Sequence, residues 1–293
     1  MATTQTDHSS DTLDDPGDWK DSIKDVVRFH HRSLMVTLLA RAAKTYLRAY
    51  YNENHYRLAY NGEGFVLDTF RKINGADNVV AFDVGAHFGL WASAFIERFP
   101  GGSVHCFEIA PATYETLVRS VGHRAQFHTN CLGLSSADGT LSLNYSPGST
   151  TTTNVYSTAP PGVDVSASKV VQVRVTTGDK YCADRGVNRV DIIKVDTEGH
   201  DLDVLKGFRE MLVRSPVPLI QFEFGFVHIP ARNILEDFYD LLRPLGYALG
   251  RLHPRCVEFK DYDPREDENF RMGNYIAVHR SHNALMSGLL RGK

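Results

Sequence analysis

Glycines and acidic side chains follow several apolar runs of this 293-residue sequence, at positions where a strand would end. The segment Asp83–Gly89 ends one such run, and Glu108 follows the next one. Glycines there permit a tight turn from a strand into a helix, and the N–H groups of the turn can face a carboxylate or a phosphate. An acidic residue after the second strand can accept both hydroxyls of a ribose. This pattern predicts a cofactor site of the nucleoside type at the ends of two strands.

The positions of the glycines separate two classes of cofactor. A dinucleotide-binding turn has the pattern Gly-x-Gly-x-x-Gly, but counting from Gly85 the second and third glycine positions hold His87 and Leu90. A side chain at the second position blocks the approach of a pyrophosphate. S-adenosylmethionine has no pyrophosphate, so we expect it as the cofactor. An NAD-dependent oxidoreductase stays an alternative, because Glu108 suits the ribose of NAD as well as that of S-adenosylmethionine. A non-catalytic binding protein of the same fold is a further alternative.

A third group of charged residues lies at the end of a later apolar run. Lys194, Asp196 and Glu198 alternate and therefore fall on one side of the predicted strand. Asp196 stands where the strand leaves the sheet, so we expect it in the cleft, whereas Glu198 either lines the cleft or caps the next helix. Together with His200 these carboxylates could hold a divalent ion. No second ligand cluster accompanies them, so we predict no metal site.

If the methyl acceptor is a hydroxyl group, a base should take its proton. His200, His228 and Asp196 are the candidate catalytic residues, because both histidines are expected in loops that follow strands. A carboxylate acceptor needs no base but needs a cation to fix it, for which Arg232 and Arg251 are the candidates. A hydroxyl, a carboxyl and a nitrogen acceptor all stay open at this point.

The elements that would position these residues alternate along the chain. Apolar runs and amphipathic segments follow each other from about residue 76 to 280, which predicts an α/β fold with a mostly parallel sheet and helices on both faces. Ligands bind beyond the carboxyl ends of the strands in such sheets, which is where the residues above fall. Thr140–Tyr145 and Val170–Val175 alternate like antiparallel strands, and the Thr-rich segment Ser146–Ser168 between them predicts a long loop near the acceptor.

The two ends of the chain differ from this middle part. Residues 1–22 predict a disordered tail, residues 23–75 an N-terminal helical extension, and residues 281–293 a C-terminal tail. From Val26 to Tyr51 apolar residues recur at helical spacing with Arg and Lys between them, which predicts an amphipathic helix or helix pair. Its basic face could contact a membrane surface or an acidic partner. We favour packing on the main domain or on a second subunit, and the second alternative would give a homodimer through these helices.

The composition is that of a globular protein, with 42% apolar and 23% charged residues and a formal net charge of −3. This charge disfavours a nucleic-acid partner. No apolar run approaches the roughly 20 residues of a membrane span, and the polar N-terminus lacks the features of a secretory signal. Cys106, Cys131, Cys182 and Cys256 show no paired spacing, which suits a cytoplasmic protein.

Together these segments resemble the FkbM family of S-adenosylmethionine-dependent methyltransferases. The resemblance extends from about Asn61 to His279, and its most specific parts are DVGAHFG from Asp83, FEIAP around Glu108, and IIKVDTEGHDLDVLKG from Ile192. The family commonly has Asn where this chain has His87. The resemblance implies a class I, Rossmann-like methyltransferase domain over residues 76–280, with a seven-stranded sheet, acting on an oxygen of a small natural product, sugar or glycan.

The resemblance also implies roles for individual residues. The methionine end of the cofactor would be held by the turn, the ribose by the acid after the second strand, and the adenine by residues after the third strand; Asp196 and Glu198 would line the reaction cleft. The implied cofactor-binding set is Asp83, Gly85, Ala86, His87, Gly89, Glu108, Asn130, Cys131, Asp196 and Glu198.

Overall fold

The computed structural model describes residues 19–53, 57–145 and 169–290. The chain divides into two compact units, residues 1–50 and 51–293. The predicted disorder of residues 1–18 and the predicted loop Ser146–Ser168 lie outside the described residues. Within the described ranges, no helix combines the length and the apolar character that a membrane span requires.

The first unit contains two helices, α1 (Trp19–Phe29) and α2 (Leu34–Tyr50). The predicted helix pair is therefore confirmed. The turn between the helices is closed by the N–H of Ser33, which donates to the carbonyl of His30 at 2.8 Å. Neither helix buries a residue. Helix α1 begins at Trp19, so the expected boundary of the tail at residue 22 lies inside a helix.

The second unit contains the α/β domain. Its helices are α3 (Leu58–Asn61), α4 (Glu63–Asn74), α5 (Leu90–Arg98), α6 (Pro111–Val121), α7 (Gly178–Arg185), α8 (Asp201–Lys206), α9 (Arg209–Arg214), α10 (Leu235–Leu242), α11 (Pro264–Asp267) and α12 (Asn283–Leu290), with a 3₁₀ turn at Phe226–His228. Its strands are β1 (Asp77–Val84), β2 (Gly101–Phe107), β3 (Phe127–Asn130), β4 (Gly133–Leu134), β5 (Gly139–Tyr145), β6 (Lys169–Thr176), β7 (Ile192–Val195), β8 (Leu219–Phe224), β9 (Tyr247–His253), β10 (Cys256–Phe259) and β11 (Gly273–His279).

The central sheet has the strand order β10-β9-β11-β8-β7-β1-β2-β3. Strands β8, β7, β1, β2 and β3 pair in parallel, whereas β11, β9 and β10 join the sheet through antiparallel pairs. The mainly parallel Rossmann-like sheet is confirmed. It has eight strands instead of the expected seven because β10 turns back onto β9 and adds one more edge strand.

Side chains of the central strands alternate between two apolar cores. Ala81 and Ile192 belong to the core under α4, α5, α6 and α12, whereas Phe82 and Ile193 belong to the core under α7 to α10. Period-2 alternation in a sheet with two covered faces produces this division. The predicted helices on both faces are thus confirmed.

A separate three-stranded sheet has the order β4-β6-β5. Strands β5 and β6 pair antiparallel, as their alternating sequences predict, and β4 pairs in parallel with β6. Ala110, Leu143 and Val173 form a small core beneath this sheet. It adds a wall on one side of the α/β domain.

Two expected boundaries differ from the structure. Helix α4 buries Val66, Leu67 and Phe70 in the core, so the expected helical extension 23–75 includes part of the α/β domain. The expected C-terminal tail contains helix α12, which ends in the apolar core.

Helix α12 provides a direct test of this packing. Leu285 is fully buried, so Leu285→Ala should lower the free energy of unfolding by about 2–5 kcal/mol, measured by urea denaturation. Leu290 in the same helix is 49% exposed, and Leu290→Ala should change the free energy by no more than about 0.5 kcal/mol. Equal effects of the two substitutions would contradict the packed helix.

Candidate functional site

A central cavity of about 510 Å³ opens at the carboxyl ends of β1, β2, β7 and β8. This is the edge at which parallel sheets bind ligands. Its polar wall residues come from widely separated parts of the second unit. They are Asn52, Asn61, Glu63, His87, Glu108, Thr113, Lys194, Asp196, Thr197, Glu198, His200, Glu223 and Asn274.

The turn after β1 brings its backbone close to the neighbouring strand. Gly85 has a φ of +81°, and a Cβ atom there would clash with the carbonyl oxygen of Asp196. The N–H groups of Gly85 and Ala86 both donate to the carbonyl of Phe107 at 3.0 Å. These two N–H groups therefore hold the turn against the end of β2 and are not directed at a ligand.

Glu108 completes this corner of the cavity and is only 7% exposed. One carboxylate oxygen accepts from the N–H of His87 at 3.0 Å, and the other accepts from the N–H of Ala110 at 2.9 Å. Burial raises the pKa of Glu108, and the two backbone donors partly oppose this. The hydrogen bonds fix the direction of the carboxylate and leave each oxygen a further lone pair for a ligand.

A buried lysine joins the ends of β1 and β7. The ammonium group of Lys194 lies 3.3 Å from Asp83 and 3.3 Å from Asp196, and donates to the carbonyl of Gly85 at 3.4 Å. Asp83 is fully buried, and burial raises its pKa to about 6 against the opposing effect of Lys194. Burial disfavours the charge of Lys194 as well, but Asp83, Asp196 and Glu63 outweigh it and raise the lysine pKa. Lys194 is therefore a cation whose charge is already shared by two carboxylates.

Two further carboxyl groups in the wall hold their protons more tightly than usual. Burial, with the nearby Asp196 and Asp201, raises the pKa of Glu198 to about 8. Burial also raises the pKa of Glu223, and Asp196, Glu198 and Asp201 add to this effect. Glu198 has a φ of +54°, so the backbone turns sharply at this point and directs the residue into the cavity wall.

Amide groups organise the wall that faces β8 and β11. Glu63 accepts from the side-chain amide of Asn61 at 2.6 Å and from that of Gln221 at 2.5 Å. Gln221 also donates to the side-chain oxygen of Asn274 at 3.3 Å. Asn274 lies opposite Glu223 in the β11–β8 register. This network presents neutral amides and carboxylates to the cavity.

The histidines lie in different environments. His200 lines the cavity, and its Nε2 lies 2.9 Å from the hydroxyl of Ser135. Burial lowers the pKa of His200 and of His87, so both imidazoles are neutral at pH 7. His228 is fully buried between Phe224 and Phe238 and is absent from the cavity wall. The structure therefore excludes His228 as a base that contacts an acceptor in this cavity.

The structure separates the other expected cofactor residues into two groups. Gly85, Ala86, His87, Glu108, Asp196 and Glu198 meet at the cavity. Asp83, Gly89, Asn130 and Cys131 do not line it. Asp83 lies behind Lys194, and a Cβ atom at Gly89 would press on Leu117, so this glycine permits close packing of α5 on α6.

Asn130 was expected beside the adenine but points elsewhere. Its amide donates to the carbonyls of Cys106 and His128, and its oxygen accepts from Tyr181. The hydrophobic wall near this corner consists instead of Ile109, Leu132, Gly133, Leu134 and Leu143.

Comparisons with known proteins identify the family of this chain. The sequence pattern of the Methyltransferase FkbM domain matches residues 83–249, which contain the glycine turn, Glu108, Lys194 and Glu223. The chain belongs to the FkbM methyltransferase family. This methyltransferase is 31% identical over 193 residues to Methyltransferase sdnD of Sordaria araneosa, a match that spans 56% of this chain and 74% of sdnD.

Two more distant relatives have names that describe a substrate. Hexuronic acid methyltransferase AglP of Haloferax volcanii is 28% identical, over 50% of this chain and 56% of AglP. The 31-O-demethyl-FK506 methyltransferase FkbM of Streptomyces tacrolimicus is 23% identical, over 58% of this chain and 73% of that protein. Among solved structures, precorrin-6y C5,15-methyltransferase from Geobacter metallireducens matches 73% of this chain and 87% of its own at 10% identity, with a TM-score of 0.41.

Several residues that line the cavity of this methyltransferase were not predicted as site residues from the sequence. Lys194 could have been recognised from its position inside the apolar run Ile192–Val195. A buried cation requires oppositely charged partners, so this position predicts nearby carboxylates. Glu63 and Asn61 lie before the glycine turn, and Asn274 lies on the last strand, so only the fold brings them to the cavity. Nothing local in the sequence marks them as one group.

The raised pKa of Glu198 predicts a pH dependence of stability. Unfolded Glu198 ionises near its ordinary value of 4.5, whereas the folded group keeps its proton up to about pH 8. The stability that protonated Glu198 contributes is present below about pH 4.5 and is lost as the pH rises through 8. Glu198→Gln should therefore raise the thermal midpoint at pH 8 more than at pH 5, measured by scanning calorimetry.

The matched control for this experiment is Glu115→Gln, on the exposed surface of α6. This control should keep the pH profile of the unmodified protein. If the thermal midpoints of Glu198→Gln and of the unmodified protein differ by the same amount at pH 5 and at pH 8, the raised pKa of Glu198 is contradicted.

Proposed function

We propose that this methyltransferase uses S-adenosylmethionine and methylates a hydroxyl oxygen of a small natural product, sugar or glycan. The observation that supports the proposal most is the charge of the central cavity. Carboxyl groups of Glu63, Glu108, Asp196, Glu198 and Glu223 line it, and the one lysine among the described wall residues is already paired. Such a wall favours a cationic cofactor and a neutral acceptor.

The residues present fit S-adenosylmethionine. The cavity volume of about 510 Å³ lies within the usual range for sites that bind small molecules. Glu108 has its two oxygens fixed and able to accept ribose hydroxyls, and the apolar side chains of Ile109, Leu132 and Leu134 lie on the same wall as candidates for contact with adenine. Gly85 and Lys194 would contact the methionine end. These roles are proposals that the cavity's shape and chemistry support.

The sulfonium group of the bound cofactor would supply an electrophilic methyl carbon. The work left to the protein is to bind, align and desolvate two reactants. The carboxylate of Asp196 would stabilise positive charge in the cavity, and both Asp196 and Glu198 lie on the connection that follows β7. The buried Lys194 fixes Asp196 and the turn at Gly85, so these groups require little rearrangement when ligands enter.

The acceptor is assigned by the absence of a spare cation among the described residues of the wall. A carboxylate acceptor would approach the carboxylates of Glu63 and Asp196 without a free counter-charge, because Lys194 is already paired. Arg251, which could have supplied one, is buried and donates to the backbone carbonyls of Tyr51, Arg271 and Met272.

Arg232, the other arginine considered, is exposed and does not line the cavity. The sequence of residues 146–168 contains no Lys or Arg. The amides of Asn61 and Asn274 and the nearby carboxyl groups instead offer hydrogen bonds to hydroxyl groups.

The relatives support an oxygen acceptor. A hexuronic acid, named for AglP, offers hydroxyl and carboxyl oxygens, and the FkbM of Streptomyces tacrolimicus is named for an O-demethyl substrate. His200 is our candidate for the base because it is neutral at pH 7 and lines the cavity. Asp196 also lines the cavity, but its carboxylate is paired with Lys194.

The cofactor assignment predicts the effect of removing the Glu108 carboxylate. Glu108→Ala should weaken binding of S-adenosylhomocysteine by about 10- to 100-fold in titration calorimetry, because hydrogen bonds to a charged group contribute about 1.5–3 kcal/mol. Glu115→Ala, on exposed α6, should bind like the unmodified protein. Unchanged affinity of a folded Glu108→Ala protein would contradict the ribose assignment.

The acceptor assignment predicts selectivity between matched sugars. Labelled methyl transfer should be at least about tenfold faster with methyl glycosides of neutral hexoses than with those of the corresponding hexuronic acids, since one unfavourable charge contact is worth more than about 1.4 kcal/mol. Preferential transfer to the hexuronic acids, with label released by mild base as a methyl ester, would indicate a carboxylate acceptor.

The assignment of His200 as the base predicts that His200→Ala lowers kcat by about 100-fold or more.

A further inference from the structure

The two helices of the first unit expose an extensive apolar surface. Neither α1 nor α2 buries any residue, and large apolar side chains are exposed along both. Phe29 is 84% exposed, Leu34 76% and Met35 73%. The other large apolar side chains exposed there are Trp19, Ile23, Val26, Val27, Leu38, Leu39, Tyr46, Leu47 and Tyr50. Contiguous apolar surface of this kind marks an interaction site.

Both helices are amphipathic, and their polar sides differ. In α1, Trp19, Ile23, Val26 and Val27 follow helical spacing along one side, and the acidic residues of the opposite side form ion pairs with Lys24 and Arg28. In α2, apolar residues occupy most of the circumference.

The polar stripe of α2 consists of Thr37, Arg41, Lys44 and Arg48, at spacings of four, three and four residues. Helix α2 contains no acidic residue, so all charged side chains of this stripe are basic. An apolar side bordered by such a stripe is typical of a helix that lies in a lipid–water interface.

The net charge of residues 19–50 favours an anionic partner. Residues 19–50 contain seven lysines and arginines against two aspartates, a formal net charge of +5, although the whole chain has a net charge of −3. Two copies of a segment with this charge repel each other, whereas an anionic lipid surface attracts each of them. Charge complementarity therefore favours anionic lipid over a second copy of the same helices.

We propose that α1 and α2 dock this protein on an anionic lipid surface. The 17 residues of α2 lie parallel to the surface, because a helix of this length with Arg41, Lys44 and Arg48 does not cross a bilayer. The apolar side chains enter the acyl boundary, and the lysines and arginines contact lipid phosphates. The aromatic rings of Trp19, Tyr46 and Tyr50 suit the depth of the headgroups. This surface would bring the protein to acceptors in or near a membrane.

Vesicle flotation of the full chain tests the proposal. The protein should float with vesicles of phosphatidylcholine and phosphatidylglycerol at about 0.1 M salt, and should float much less with phosphatidylcholine alone or at about 1 M salt. Arg41→Glu with Lys44→Glu should lower the lipid partition coefficient by at least about tenfold. Leu38→Ser with Leu39→Ser should lower it as well, because the apolar contact is lost.

The matched control changes the net charge equally in the second unit. Arg209→Glu with Arg255→Glu replaces two exposed arginines there, and should float like the unmodified protein. Circular dichroism and the thermal midpoint establish that each variant is folded.

Three results would overturn the proposal. They are no flotation of the unmodified protein with anionic vesicles, equal flotation with neutral and anionic vesicles, and an unchanged partition coefficient for Arg41→Glu with Lys44→Glu. A stable dimer in sedimentation equilibrium that Leu38→Ser with Leu39→Ser dissociates, without vesicle binding, would assign the surface to a second copy instead. Because cofactor binding is measured separately, failure here leaves the proposed methyl transfer standing.

Discussion

The buried ammonium group of Lys194 is the interaction on which the site depends. Removing a cation from water is costly unless partners surround it, and here Asp83, Asp196 and the carbonyl of Gly85 are those partners. The three partners belong to the ends of two adjacent strands, which are β1 and β7. The charge balance of one lysine therefore fixes the turn after β1 relative to the connection after β7. A loss of either aspartate would leave charge uncompensated in the interior.

The rest of the cavity has more acid than base. Raised pKa values at Asp83, Glu198 and Glu223 reflect burial among other carboxyl groups. A cationic ligand would lower the repulsion among these groups, whereas an anionic ligand would increase it. The same electrostatics thus favours a sulfonium cofactor and disfavours a carboxylate acceptor, and it connects the two halves of the proposed reaction.

The sequence predicted the framework well because the physical signals were strong. Continuous apolar runs marked β1, β7 and β8, and glycine at position 85 marked the turn that brings backbone against backbone. The α/β fold, both covered faces and the antiparallel pair β5–β6 followed from periodicity. Helix α12 was not predicted, because a short segment near the end of the sequence shows little periodicity.

The site was predicted less completely, because loop direction is set by packing and not by local sequence. His228 follows a strand as a base could, yet it turns inward against Phe224 and Phe238. Asn130 is the last residue of β3, and its side-chain amide donates to the backbone carbonyls of Cys106 and His128 instead of lining the cavity. Glu63 lines the cavity and accepts hydrogen bonds from the amides of Asn61 and Gln221, and Gln221 comes from a distant part of the sequence.

The central claim is that the cavity at the ends of β1, β2, β7 and β8 holds the methyl donor. A crystal structure of the full chain with S-adenosylhomocysteine tests it most directly. The account predicts ligand density within the cavity, with the ribose hydroxyls on the carboxylate of Glu108 and the amino-acid end near Gly85 and Lys194. Density for the ligand at another place on the protein, with this cavity unchanged, would contradict the account.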